Sequence, residues 1–142
     1  MTRTQIRVNE DDRDHWFRHM SKGGWPFSTA AHGWPISDCS AEGLKGVVSC
    51  LKLYPQFVPD YITNLSCHTN DSDPTLFHTI DLIISYQNPE GGWATYENRR
   101  GGEWYETLNP SEAFSDIMID FSYVECSSAC LTALREFINE VF

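Results

Sequence analysis

Positive charge is scarce in this sequence: 10 Lys and Arg residues stand against 20 Asp and Glu, a formal charge of -10 over 142 residues. A deficit of that size excludes the basic footprint of a nucleic-acid-binding surface and the polybasic patch of a protein held on anionic lipid. Long apolar runs are missing as well. No stretch approaches the ~18 residues of a membrane-spanning helix, and the polar N-terminus lacks the apolar centre of a secretion signal. The chain itself therefore reads as soluble. Five cysteines, an odd number without paired short spacings, argue against a disulfide framework and for reduced thiols in a reducing compartment. Cys126 and Cys130 would share a helix face, but the CxxC pairs of a structural zinc site are absent, so no metal and no cofactor is expected.

Alternating apolar and polar residues, the mark of a half-buried strand, are also wanting, which leaves an all-α reading. The length suits one domain with one modest core, burying about two thirds of its unfolded surface. Residues 1–16 form a polar N-terminal tail, expected to fray, and Asp14 to Met20 could form a helix end. From Lys22 to Pro35 three glycines, two prolines and two tryptophans make a structured loop, too broken for a helix and too aromatic for a solvated linker.

Helical spacing begins at Asp38, where Leu44, Val47, Val48 and Leu51 form one apolar stripe that Pro55 and Pro59 end. Asp73-Pro74 supplies an N-cap and a first-position proline for a second stripe through Leu76, Ile80, Ile83 and Ile84, stopped at Gln87-Asn88-Pro89. A long loop from Asn88 to about Pro110 carries Gly91, Gly92, Gly101 and Gly102 among Trp93, Tyr96, Trp104 and Tyr105. Its aromatic content favours order. The last helix opens on a capping box, Ser122-x-x-Glu125, and runs through Ser127, Leu131, Leu134, Ile138 and Val141. It has no C-cap glycine, so the natural structure is expected to continue beyond Phe142.

Two loops are variants of one pattern. Gln87-Asn-Pro-Glu-Gly91-Gly-Trp93 has the form Q-x3-G-x-W, and His19-Met-Ser-Lys-Gly23-Gly-Trp25 repeats it with His for Gln. The Gln at a helix end is expected to bond free backbone groups while the tryptophan packs beside it. Between the loops stands Asp38-Cys-Ser-Ala-Glu42. The repeat and this motif together resemble the oxidosqualene cyclases, whose acid motif is D-C-T-A-E, here with Ser40 for Thr. Lys22-Gly-Gly-Trp-Pro-Phe-Ser-Thr, Gly33-Trp-Pro-Ile-Ser-Asp-Cys, Gly91-Gly-Trp-Ala-Thr-Tyr-Glu, Leu108-Asn-Pro-Ser-Glu and Tyr123-Val-Glu-Cys-Ser-Ser match that family in order. Residues 17–142 thus resemble part of a squalene cyclase-type α/α barrel domain, incomplete because the family enzyme is several times longer.

The resemblance implies an isomerase that protonates the epoxide of oxidosqualene and cyclises the polyene through carbocations to a sterol precursor. Such an acid must be protonated while it waits, which burial favours. Asp38 matches the family's proton donor, Cys39 and Cys126 the two thiols beside it, and Glu42 a member of the surrounding polar network. Phe27 and Tyr96 match cavity aromatics, whose faces stabilise cations without trapping them. Read without the family, Asp38 is a helix N-cap, Glu42 a solvated helix residue, Cys50, Cys67 and Cys130 small buried hydrophobes, and Trp25, Trp34 and Trp93 packing residues. His32 and Ile36 are the residue types seen at their positions in cycloartenol synthases, where lanosterol synthases usually have valine at the second, so the resemblance leans toward cycloartenol.

The expected partner is a lipid, oxidosqualene, and no nucleic acid. The family sits monotopically on the endoplasmic reticulum or lipid droplets, but its membrane-inserted segment has no match here. An alternative is a truncated, catalytically inactive chain acting at most as an interaction module through apolar faces left uncovered. A prenyltransferase β-subunit relative shares the α/α barrel but needs Asp, Cys and His zinc ligands, and the context of Asp38 does not resemble theirs.

Overall fold

Leu44, Val47 and Val48 fall on one side of a helix, and burying that side fixes the first element, α1, at Ser37–Leu53. A computed structural model describes residues 4–29, 31, 34–57, 76–99, 101–113, 115–116 and 118–141. After α1 come a 3₁₀ turn at Pro55–Phe57, helix α2 at Leu76–Ser85, a second 3₁₀ segment at Glu103–Leu108 inside the long loop, and helix α3 at Val124–Val141. There is no β-strand among the described residues, which contain only the isolated bridges Pro26–Pro35 and Gln87–Trp93. The fold is all-α.

The three helices alternate in direction. The Cys130 thiol donates to the Ser37 carbonyl at the start of α1, and Lys52 near its end meets Glu140 near the end of α3 at 2.6 Å, so α1 and α3 run side by side in the same sense. Helix α2 runs against them. Phe77 in its first turn stacks edge-on with Phe137 late in α3, while Trp93, pinned beside the start of α3, bonds to the last turn of α2. Two parallel helices linked through an antiparallel one, as here, is the unit from which an α/α barrel is wound. Trp25, Leu44, Val48, Leu82, Ile83, Trp93, Cys130 and Ala133 fill the space between them.

Several expectations are corrected here. Residues 11–17 form turns and no helix. The polar tail is tied down at two points: Gln5 and Ile6 are buried, the Ile6 backbone pairs with Gly23 and Gly24, the Gln5 amide donates to Gly23 O and Thr79 Oγ1, and Asn9 Oδ1 accepts the amides of Ser21 and Lys22. In α2 the buried face is Leu76, Thr79, Leu82 and Ile83, leaving Ile84 exposed; Asp73 and Pro74 lie outside the described residues. In α3 the buried side is Cys126, Cys130, Ala133 and Phe137, while Leu131 and Ile138 point outward. Small side chains let α1 and α3 approach closely, which outweighs the greater hydrophobicity of Leu and Ile.

The capping box does not form. Tyr123 occupies the N-cap, its carbonyl accepting from Ser127 N at 3.0 Å, while the Ser122 hydroxyl accepts from Asn88 Nδ2 and donates to the Glu90 carboxylate. The loop repeat, by contrast, is real in three dimensions. Gly23 and Gly91 both have left-handed backbones, with φ of 91° and 93°, a conformation that glycine adopts without a side-chain clash. In each loop the tryptophan carbonyl then accepts the N-cap amide of the helix that follows, Ile36 N to Trp25 O and Tyr123 N to Trp93 O.

Candidate active site

A helix start leaves its first amides without partners. At α1 the Ser37 amide is taken by Thr95 O at 2.9 Å and the Cys39 amide by Asp38 Oδ1 at 2.7 Å, while the Ser40 amide makes the first helical bond to Ile36 O. Ile36 is thus the N-cap and Asp38 the second helical residue, so Asp38 satisfies a free amide from inside the first turn instead of from the cap. Its carboxyl is left half-buried at the start of the helix.

The segment Ala94-Thr95 bridges the starts of the two parallel helices. Ser37 Oγ donates to the Ala94 carbonyl, and Thr95 Oγ1 lies 3.8 Å from Cys126 Sγ. Three groups read as catalytic from the sequence, Asp38, Cys39 and Cys126, converge there, although 87 residues separate the two cysteines. Burial, then the charge of Asp38 and a hydrogen bond to it, push the Cys39 thiol up to about 11. Burial likewise raises Cys126 against the opposing hydrogen bonds of Ser37 and Thr95. Both sulfurs therefore keep their protons at neutral pH, which leaves each an S–H group able to donate. Cys130, deeper in the core, is pushed up to about 12, chiefly by burial.

The remaining candidates are placed differently. Glu42 does not reach into this group: its exposed carboxylate pairs with Lys45 Nζ at 2.5 Å, one turn along α1. Ile36 is only 4% exposed, packed inside the chain. His32 lies outside the described residues. Phe27 is 82% exposed and Tyr96 47%, so both stand on open surface. Tyr96 borders a groove of about 400 Å³ with Trp34, Arg99, Tyr105, Met118 and Ile119. Asp120 fixes the Tyr96 amide at 2.7 Å, and Glu106 holds the amides of Met118 and Ile119 on the far wall.

Trp34, expected to pack, instead belongs to this open side. The Arg18 guanidinium sits 4.1 Å from its ring centre, and its ring meets Tyr96 edge-on at 6.2 Å. Arg18 is in turn held by Glu97, which also accepts the His19 amide. Sequence reasoning missed Ser37 and Thr95 at the starts of α1 and α3, because each makes its contact with a neighbour supplied by a distant segment. Trp25 and Trp93 do pack, both nearly sealed from solvent.

No family model matches the chain. Individual proteins do. Over 133 residues, 92% of this chain, it is 48% identical to a cycloartenol synthase of Dictyostelium discoideum, and over 134 residues, 94% of this chain, 42% identical to a lanosterol synthase of Mus musculus. The chain corresponds to a segment of the oxidosqualene cyclases. A lanosterol synthase of Pneumocystis carinii is 43% identical over 139 residues. The matched segment is 17% of the length of the first two proteins and 18% of the third. The matched stretch of this chain includes the D-C-S-A-E motif of α1. The all-α architecture, with parallel helices joined through an antiparallel one, fits an arc of the α/α barrel that these enzymes have. Among the described residues no helix is long and apolar enough to cross a membrane.

Proposed function

We propose that this chain is the acid-bearing portion of an oxidosqualene cyclase, an isomerase that turns (3S)-2,3-oxidosqualene into a sterol-precursor triterpene. The observation that carries the reading is the convergence of Asp38, Cys39 and Cys126 at the starts of two parallel helices. Asp38 in its acid form passes its proton to the epoxide oxygen; one of the two C–O bonds breaks, the oxygen stays on the other carbon as a hydroxyl, and the π electrons of the neighbouring alkene form a bond to the vacated carbon and close the first ring. The carboxylate left behind is a stronger acceptor than the acid, and the Cys39 and Cys126 thiols, both still protonated, donate to it. That stabilises the product of proton transfer and so lowers the barrier. Phe27 and Tyr96, exposed on this piece, present aromatic faces to the later cations, each worth about 0.5 to 2 kcal/mol.

Cycloartenol is the proposed product. Support comes from His32 and Ile36 in the sequence and from the 48% identity to a cycloartenol synthase beside 42% to a lanosterol synthase. With Ile36 buried at the N-cap, its bulk acts by setting the helix start. The substrate is a membrane lipid, and the surface of the endoplasmic reticulum or of lipid droplets is the proposed place of action.

A second reading, an inactive piece that docks onto other protein, is favoured by one observation. Val124, Leu131 and Ile138 stand exposed at seven-residue intervals along α3, an apolar line that a neighbouring helix would cover. Incubating oxidosqualene with the chain, with the longest reading frame that contains it, and with Asp38→Asn forms of both separates the readings. Cyclised product from the long form that vanishes in Asp38→Asn is the expected result. Product formation that survives Asp38→Asn would remove Asp38 as the acid, and no product from any form would favour the docking role.

A further inference from the structure

The starts of α1 and α3 are held by the same device. Trp25 N donates to Ser40 Oγ at 2.9 Å, and Trp93 N donates to Ser127 Oγ at 2.9 Å. Ser40 lies four residues after the N-cap Ile36, and Ser127 four after the N-cap Tyr123, whose amides bond back to the same two tryptophans. Each tryptophan thus exchanges two hydrogen bonds with its helix: its carbonyl takes the cap amide and its amide gives to the serine hydroxyl one turn on. The residue before each serine is a site thiol, Cys39 in one helix and Cys126 in the other.

We propose that Ser40 and Ser127 are positioning residues, whose hydroxyls lock the two helix starts to the preceding tryptophans so that Cys39 and Cys126 are presented to Asp38 from both sides. The proposal rests on the reading of those three groups as the proton-transfer site. Three features support it beyond the paired distances. Ser40 is fully buried, where an unused hydroxyl would be unfavourable, and Trp25 N is its donor. The sequence separations differ, 15 residues in one copy and 34 in the other, yet the bonds coincide, so the geometry does not follow from loop length. Finally, a backbone N–H can be satisfied here only by an acceptor that reaches out from the helix by one side-chain length, which Ser and Thr supply and Ala does not.

The neighbouring thiols report whether the lock holds. Cys39 is raised to about 11 by burial and by Asp38, and both causes weaken if the helix start swings away from its loop. Alkylation of the chain by iodoacetamide across alkaline pH, quantified at each cysteine by peptide mass spectrometry, gives an apparent pKa for Cys39 and Cys126 separately. Ser40→Ala is expected to lower the Cys39 value by about one unit, Ser127→Ala to lower the Cys126 value, and Ser40→Thr to restore the Cys39 value. Circular dichroism establishes that each variant is folded. If Ser40→Ala does not fold, Ser127→Ala, at a half-buried site, carries the test. Folded alanine variants with unchanged thiol values would overturn the proposal, and unfolding of both would mark the hydroxyls as structural and overturn it too. Turnover enters nowhere in this measurement, so failure of the acid reading, seen in the Asp38→Asn assay, is distinguishable from failure of the lock.

Discussion

The indole of Trp93 donates to the carbonyl of Ile83 at 2.6 Å, closing the last turn of α2 from outside the helix. The glutamine of the same repeat does not share that work: Gln87 Nε2 bonds Gly91 O within its own exposed turn. The tryptophan is therefore both packing residue and helix cap. Trp93→Phe keeps most of the apolar surface but leaves the Ile83 carbonyl only its longer bond from the Tyr86 amide at 3.3 Å, which should lower stability by about 1 to 1.5 kcal/mol in urea denaturation. Gln87→Ala should cost about 1 kcal/mol or less. The opposite ordering would show that the glutamine is the tie.

Equivalent glycines in the two loops should respond unequally to the same substitution. An added Cβ at Gly91 meets nothing within 4 Å, so Gly91→Ala bears only the left-handed backbone strain, about 1 to 2 kcal/mol. At Gly23 the added Cβ would stand 2.5 Å from the His78 backbone carbon, and α2 would have to shift. Gly23→Ala should thus lower the melting temperature by clearly more than Gly91→Ala. Equal shifts would mean that His78 and the helix around it move freely.

How far such details were legible in advance varied with the element. For α1 the stripe of Leu44, Val47 and Val48 was sufficient, because the opposite face is polar and only one side can be buried. In α2 the consecutive Leu82, Ile83 and Ile84 offer apolar residues to more than one side, so spacing could not say that Ile84 faces out. The buried side of α3 was misjudged for a related reason: Cys126, Cys130 and Ala133 carry a weaker apolar signal than Leu131 and Ile138. For the site, motif resemblance singled out Asp38, Cys39 and Cys126, but nothing local in the sequence shows that Thr95 would bridge them. That contact is made by the fold.

The protonated thiols give the chain an alkaline weakness. Cys39 is raised to about 11 and Cys130 to about 12 from an ordinary value of 9.0. Between those limits the folded chain still holds protons that the unfolded chain has released. Stability is therefore undiminished below pH 9.0, falls as pH rises above it, and bottoms out past about 12 as far as these two groups contribute. Urea midpoints measured from neutral pH upward should decline over that range, and a Cys39→Ala, Cys130→Ala double variant should decline less. A double variant with the same slope would assign the loss to other groups.

Arg18 should hold Trp34, and through it the Tyr96 ring, in place. A double-mutant cycle of Arg18→Met and Trp34→Leu is expected to give a coupling of about 0.5 to 1 kcal/mol, the size of a partly exposed cation-π contact. Glu97→Gln, which weakens the grip on Arg18, should reduce that coupling. An additive cycle would mean that the two side chains lie together without influencing each other.

The 19 further residues in the second lock, 34 against 15 between bonded partners, can be weighed as loop-closure entropy. Closing the longer loop costs only about 0.7 kcal/mol more, since the penalty grows with the logarithm of length. One wall of the groove, Met118 and Ile119, is carried by that longer loop, whose two ends are nailed down at Trp93 and Ser127. Insertion, deletion and sequence drift between those anchors are therefore thermodynamically cheap. Sequence change can recut this wall of the groove while the bond from Trp93 to Ser127 keeps the start of α3 in place.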